Sequence, residues 1–201
     1  KTNNKTKFPD GYKEINGYIV GKGVVLQGVN LRDFDLSNLN LENVDLRNAN
    51  LTNTKLQDTV LTGALLEGVI SGNVTANNMT KFSVGYRERK GYIIGKGVVL
   101  SNADLRSTYL SDLQLEGVIS GNVKTNSKTT FPDGYNEKKG YIVWKGVNLT
   151  GADLNGADLT NLNISGANLT NADLSNTTLK MVISGNIKIN INTKFPTGYR
   201  E

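Results

Sequence analysis

Leucine returns every five residues along this chain. One run goes from Leu26 through Leu31, Leu36, Leu41, Leu46, Leu51, Leu56 and Leu61 to Leu66. A second spans Leu100, Leu105, Leu110 and Leu115, and a third Leu149, Leu154, Leu159, Ile164, Leu169, Leu174 and Leu179. Two positions before each stands a small or apolar residue, such as Val24, Val29, Phe34, Ala49, Ala152 or Ala167, and the residue between is often Asp or Asn. A period of five matches neither the 3.6 of a helix nor the 2 of a strand. It demands a wall that turns a corner every five residues, with two side chains per pentapeptide inside and three in water. With 27 Asn, 22 Gly and only 37% hydrophobic residues, this spacing is what separates the chain from a disordered one.

Ala152-Asp153-Leu154 and Ala167-Asn168-Leu169 carry the pattern A-(D/N)-L-x-x, which resembles the pentapeptide-repeat family. The resemblance implies an all-β fold, a right-handed quadrilateral β-helix with four pentapeptides per coil and a dry interior. The structural core is then expected at Leu31, Leu36, Leu41, Leu46, Leu51, Leu105, Leu110, Leu154, Leu159, Leu169 and Leu174.

A longer period lies over the short one. Thr6-Lys7-Phe8-Pro9-Asp10-Gly11-Tyr12 returns at 80–86, 129–135 and 193–199, and Gly17-Tyr18-Ile19-Val20 at 91–94 and 140–143. Val69-Ile70-Ser71-Gly72-Asn73 returns at 118–122 and 182–186. The Phe-to-Phe distances of 74, 49 and 64 differ by multiples of five, as expected of duplication with changes in whole pentapeptides. Two segments of 14 residues, 79–92 and 128–141, break the frame and are expected to bulge from the wall as turns and hairpins. Pro-Asp-Gly at 9–11 and 132–134 is turn chemistry, which Ser83-Val84 weakens in the second copy. Asn16-Gly17, Lys90-Gly91 and Lys139-Gly140 are candidate hairpin turns. The expected organisation is one continuous β-solenoid over 1–201, with units 8–81, 82–130 and 131–194 and a partial unit from 195; the alternative is three short domains joined by linkers. Seven or so coils at ~4.8 Å predict a rod of about 35 Å. Lys1 to Lys7 aligns with 124–130 and Gly198-Tyr199-Arg200-Glu201 stops within a hairpin, so a window from a longer array is expected, with end-to-end partners as the alternative. Similar Phe-Pro-x-Gly-Tyr…Gly-Tyr modules occur in long-array members from marine microbes and their viruses, which implies a repetitive surface or virion component.

No Cys and no His occur, which removes disulfides, thiolate nucleophiles, Cys/His zinc sites and the usual general base. No apolar run approaches the ~18 residues of a membrane span, so no membrane insertion is expected. The net charge of +5 is unevenly spread. The runs 26–68, 98–117 and 147–179 carry −3, −2 and −3, whereas 1–25, 69–97, 118–146 and 180–201 carry +3, +4, +3 and +3. No basic stripe with interleaved aromatics is present, so nucleic acid is not an expected partner. Family members that mimic DNA and bind type II topoisomerases would need a strongly negative rod. That reading stays as an alternative, as does a module for an acidic glycan or surface.

Asp153 and Asp173 are expected one above the other, as are Asp35 and Lys55, but no third metal ligand is evident, and neither metal, cofactor nor catalytic residues are expected. Eight N-x-S/T sequons, at Asn4, Asn50, Asn73, Asn78, Asn148, Asn163, Asn168 and Asn176, follow from an Asn- and Thr-rich composition. Thr150, Thr160 and Thr170 alternate between faces, against an ice-binding surface. The candidate contact surface is Tyr12, Tyr18, Lys22, Tyr86, Arg87, Arg89, Tyr92, Tyr135, Tyr141 and Trp144, all in the frame-breaking modules. The aromatics among them either fill small satellite cores under the hairpins or form a repeated surface for neighbouring filaments or a ligand. The function expected is that of a non-enzymatic rod or fibre component, extracellular, on a cell surface or in a virion, that self-associates end to end or laterally.

Overall fold

The computed structural model describes residues 6–199; Asn4 and the ends of the chain at Lys1, Arg200 and Glu201 lie outside them. Every described element is β or turn, and the chain divides into two compact units, Lys1–Val99 and Leu100–Glu201. In the first unit, parallel bridges join residues 20 apart in four columns: Val25–Asp45–Leu65, Asn30–Asn50–Ile70, Asp35–Lys55–Thr75 and Asn40–Val60. Four columns make a four-sided coil of four pentapeptides. The second unit repeats the arrangement, for example in Asn148–Asn168–Lys188 and Asp158–Thr178. This is the right-handed quadrilateral β-helix.

Each corner is a complete solution of the backbone hydrogen-bond problem. Taking residues 46–50, the N–H of Leu46 donates to the Leu65 carbonyl of the next coil at 2.9 Å, and Ala49 donates back to the Leu46 carbonyl at 2.9 Å, closing a β-turn. Asn48, at the third position of that turn, has φ 59° and donates to the Glu67 carbonyl at 2.9 Å. Positive φ there defines a type II turn, which favours Gly and Asn. The N–H of Arg47 is taken by the Asp45 carboxylate at 3.1 Å. The same capping by the residue before the leucine recurs at Asn30, Asp35, Asn40, Asn50, Asp104, Asn148, Asp153, Asp158, Asn163, Asn168 and Asp173. Asp or Asn thus precedes leucine because the turn leaves one N–H without a ladder partner. Asp153 and Asp173 do stack, each as a turn cap.

All eleven core leucines are at most 1% exposed. Burial of one such side chain contributes about 1.5–3 kcal/mol. Threonines also point inward: the Thr54, Thr59 and Thr177 hydroxyls donate to the Leu31, Leu36 and Leu154 carbonyls at 3.2, 2.8 and 3.1 Å. The buried Thr108 hydroxyl has no partner among the described residues.

The frame breaks are narrower than the 14 residues expected from the sequence. The bridge spacing of 20 becomes 21 at Val60–Lys81 and 29 at Ile70–Val99, so one residue enters before Lys81 and eight more before Val99. Lys81 and its counterpart Thr130, bridged to Tyr109, lie on the wall. The extra residue is absorbed where Thr80 closes a turn onto the Asn77 carbonyl at 3.0 Å, and Thr129 does the same onto Asn126 at 2.9 Å. The turn before each hairpin also survives without Pro-Asp. Tyr86 donates to the Ser83 carbonyl at 3.1 Å, as Tyr12 and Tyr135 do to Pro9 and Pro132. Gly85, with φ 85°, is what that turn requires.

Candidate interaction surface: the hairpin modules

Among the described residues, three two-stranded antiparallel hairpins interrupt the coils: β1 (Lys13–Ile15) with β2 (Tyr18–Val20), β3 (Arg87–Arg89) with β4 (Tyr92–Ile94), and β5 (Asn136–Lys138) with β6 (Tyr141–Val143). Their turns are Asn16-Gly17, Lys90-Gly91 and Lys139-Gly140, with positive φ at both residues of each, as a type I′ turn needs. Lysine in that conformation is strained, and a carboxylate offsets the strain. Glu88 and Glu137 accept from the Gly91 and Gly140 N–H groups at 2.5 Å, and Glu14 accepts from Gly17.

The β3–β4 and β5–β6 hairpins are seated on the coil before them. Val74 donates to the Gly91 carbonyl at 2.9 Å, and the Ile93 N–H donates to Ser71 Oγ at 3.0 Å. Val123 and Ser120 make the same two bonds to Gly140 and Ile142 at 3.0 and 2.8 Å. The β5–β6 hairpin also touches the wall that follows, where the Asp153 N–H donates to the Tyr141 hydroxyl at 3.2 Å and Lys139 Nζ donates to the Asn155 carbonyl at 2.6 Å.

Most of the aromatics face inward. Gly95 occupies a leucine position of the coil, and a Cβ built on it would run into the Tyr86 ring. That ring fills the space of the absent side chain, and its hydroxyl donates to the Lys96 carbonyl at 2.8 Å. Burial, and then the charge of Glu67, pushes the Tyr86 phenol up to about 12. Tyr12 lies the same way over Gly21 and donates to the Lys22 carbonyl at 2.8 Å. In the third module Trp144 stands where the others have glycine, and Tyr135 stacks on it at 5.3 Å. Burial, then the charge and hydrogen bond of Glu116, pushes the Tyr135 phenol up to about 12. Tyr92 and Tyr141 are half-buried against Gly72 and Gly121, and Tyr18 is exposed and meets Phe34 at 6.2 Å. Lys22 and Arg87 are exposed and Arg89 half-buried. The Tyr–Gly pairing at 86/95 and 12/21 was visible in the sequence only as an absent leucine nine residues after each tyrosine.

Beside β3 lies an open cleft of about 380 Å³ lined by Asn77, Thr80, Phe82, Arg87 and Arg89. A second, of about 280 Å³, is bordered by Glu116, Asp133, Tyr135, Trp144 and Lys145. Among the described residues no group of three or more Asp or Glu is placed to hold a metal ion, and no helix is long and apolar enough to cross a membrane.

Residues 23–68 and 145–180 match the model of the pentapeptide repeats, in eight copies. Both stretches are pentapeptide repeats. Similar solved structures include pentapeptide repeat proteins. One is the pentapeptide repeat protein Rfr23 from the cyanobacterium Cyanothece 51142, 19% identical over 86% of this chain and 88% of that one, with a TM-score of 0.22. Another is HetL from the cyanobacterium Nostoc sp. strain PCC 7120, a pentapeptide repeat protein involved in heterocyst differentiation regulation. It is 24% identical over 83% of this chain and 68% of its own, with a TM-score of 0.25. The plasmid-mediated fluoroquinolone resistance protein QnrB1 is 12% identical over 83% and 86%, with a TM-score of 0.24. These likenesses carry no functional argument. No curated protein matches the chain in sequence.

Proposed function

We propose that this chain is a non-enzymatic structural element, a rod or fibre component outside the cell or on a virion, whose contacts are made by the hairpin modules. The observation that carries this reading is where the unbalanced charge sits. On the walls, Asp45 pairs with Arg47 at 2.7 Å, Asp104 with Arg106 at 2.6 Å, Asp35 with Lys55 at 3.6 Å and Asp173 with Lys194 at 3.1 Å. The surplus positive charge falls in the hairpin segments 69–97 and 118–146, at +4 and +3. Cationic bands between mildly acidic walls favour staggered lateral packing, and they speak against a DNA-mimicking, topoisomerase-binding rod, which needs a strongly negative surface along its length.

Electron microscopy of the purified 201-residue chain at physiological and at high salt tests the proposal. Filaments or bundles that loosen laterally with salt are expected; discrete particles at every concentration and salt would overturn it. A single stack over 1–201 belongs to the same proposal, and small-angle scattering from the dilute chain checks it. A cross-section of one coil and an extended length distribution are expected, and the profile of two freely jointed bodies would refute it.

A further inference from the structure

Residues 18–24 and 141–147 are identical except that Trp144 stands where the first has Gly21, and 92–98 keeps glycine there, as Gly95. That one difference moves a tyrosine. Tyr12 and Tyr86 lie where a Cβ on Gly21 or Gly95 would stand, their hydroxyls donating to the Lys22 and Lys96 carbonyls. Trp144, at a leucine position of the coil, is itself buried and fills that space. Tyr135 is stacked on the indole instead, with ring centres 5.3 Å apart and planes at 28°. It is half-buried, and its hydroxyl is held by the Glu116 carboxylate. The stack opens on the cleft of about 280 Å³, whose rim is polar: Glu116, Asp133, Lys145 and Asn163 are all exposed. Asn163 Oδ1 accepts from the Ser165 N–H at 3.0 Å, which leaves its Nδ2 to donate.

We propose that this cleft binds the pyranose ring of a neutral glycan, seated on Tyr135 with its hydroxyls shared among Glu116, Asp133, Lys145 and Asn163. An aromatic ring offers a negative face to the slightly positive C–H hydrogens of a sugar. Sugar hydroxyls both donate and accept, and the rim sets carboxylate acceptors beside ammonium and amide donors. A cationic ligand would meet the Lys145 ammonium, and an anionic one the two carboxylates. An aromatic floor with a few polar groups that fix orientation is the common make-up of a small-ligand site. Trp144 backs Tyr135 and holds it in one orientation, which lowers the cost of ordering it on binding. The site goes beyond the assembly reading and does not rest on it, so either can fail while the other stands.

Saturation-transfer NMR and the fluorescence of Trp144, the chain's single tryptophan, test the site on the dilute 201-residue chain. The probes are methyl glucopyranosides, galactopyranosides and mannopyranosides. At least one is expected to give a saturable response with a dissociation constant in the millimolar range. Tyr135→Ala should weaken binding roughly 10-fold or more. Asp133→Val, which matches Val84 of the second module, should weaken it roughly 3-fold. Trp144→Gly restores the glycine of the other two modules and should abolish the NMR response by letting Tyr135 drop into the coil. Thermal melts verify the fold of each variant. Linear tetrasaccharides of the same sugar then locate the ring: binding tighter than the methyl glycoside assigns the interior of a chain, and equal binding a terminal residue. Three results would overturn the site: no saturable response through ~100 mM of any pyranoside, a response that Tyr135→Ala or Trp144→Gly leaves unchanged, or binding of tetramethylammonium or sulfate in place of sugar.

Discussion

The Tyr86–Gly95 pair predicts a specific pattern of failure and rescue. Tyr86→Ala removes a buried ring and leaves a leucine position of the coil empty, since Gly95 has no side chain to refill it. Large-to-small aromatic substitutions in cores cost about 3–5 kcal/mol, and the Lys96 carbonyl also loses its hydroxyl donor, worth about 1 kcal/mol more. Gly95→Leu alone forces a side chain into the space that the Tyr86 ring fills, and overpacking of this kind costs about 1–3 kcal/mol. In the double variant the leucine occupies the vacancy left by the ring, as at other corners of the coil. The combined loss should therefore fall short of the sum of the single losses by about 2 kcal/mol or more, within the range for residues in contact. Urea unfolding followed by far-ultraviolet circular dichroism gives all four free energies, and hydrogen exchange at Ile93 and Ile94 reports the hairpin locally. Additive losses, or a Tyr86→Ala penalty below about 1 kcal/mol, would refute the idea that the ring substitutes for the missing core side chain.

Three further outcomes are expected. Thr108→Val should leave stability unchanged or raise it by about 1 kcal/mol, because the buried hydroxyl has no partner, whereas Thr59→Val should cost about 1 kcal/mol by removing the bond to the Leu36 carbonyl; thermal melts compare the two. Met181 sits at a corner with φ 53°, so Met181→Gly should stabilise the second unit by about 1 kcal/mol, measured by urea midpoint. Asp173 is held down to about 2 by the hydrogen bonds from Ser175 and by Lys194. Its stabilisation is present above the ordinary carboxylate value near ~3.9 and lost as pH falls through about 2, so Asp173→Asn should flatten the acid limb of stability against pH.

The core was legible because leucine at Leu31, Leu36 and their successors admits one period and no other. The corners were less so. The abundance of Asn is a compositional fact until the turn type is known; then Asn38, Asn43, Asn48 and Asn53 are the residues that tolerate the left-handed conformation at each third turn position. The hairpin turns could be placed from Lys90-Gly91 and Lys139-Gly140, but not the width of the interruption. Lys81 resumes the ladder after one extra residue, and a single insertion absorbed by the Asn77 turn leaves no mark on apolar spacing. The fate of the aromatics was the least legible. Whether Tyr86 points to solvent or into the coil depends on a glycine nine residues later, a pairing that only the three-dimensional path of the hairpin reveals.

The four bridge columns of the first unit also act as an angular scale. Val25, just after the first hairpin, heads the column that continues through Asp45 and Leu65, whereas Val99, just after the second, ends the neighbouring column through Asn50 and Ile70. The two hairpins therefore project a quarter turn apart. Each added or lost pentapeptide would advance or retard the next hairpin by one face, with no change to the leucine stack and no residue altered in the hairpin itself. Copy number alone thus sets the compass bearing of each hairpin around the coil.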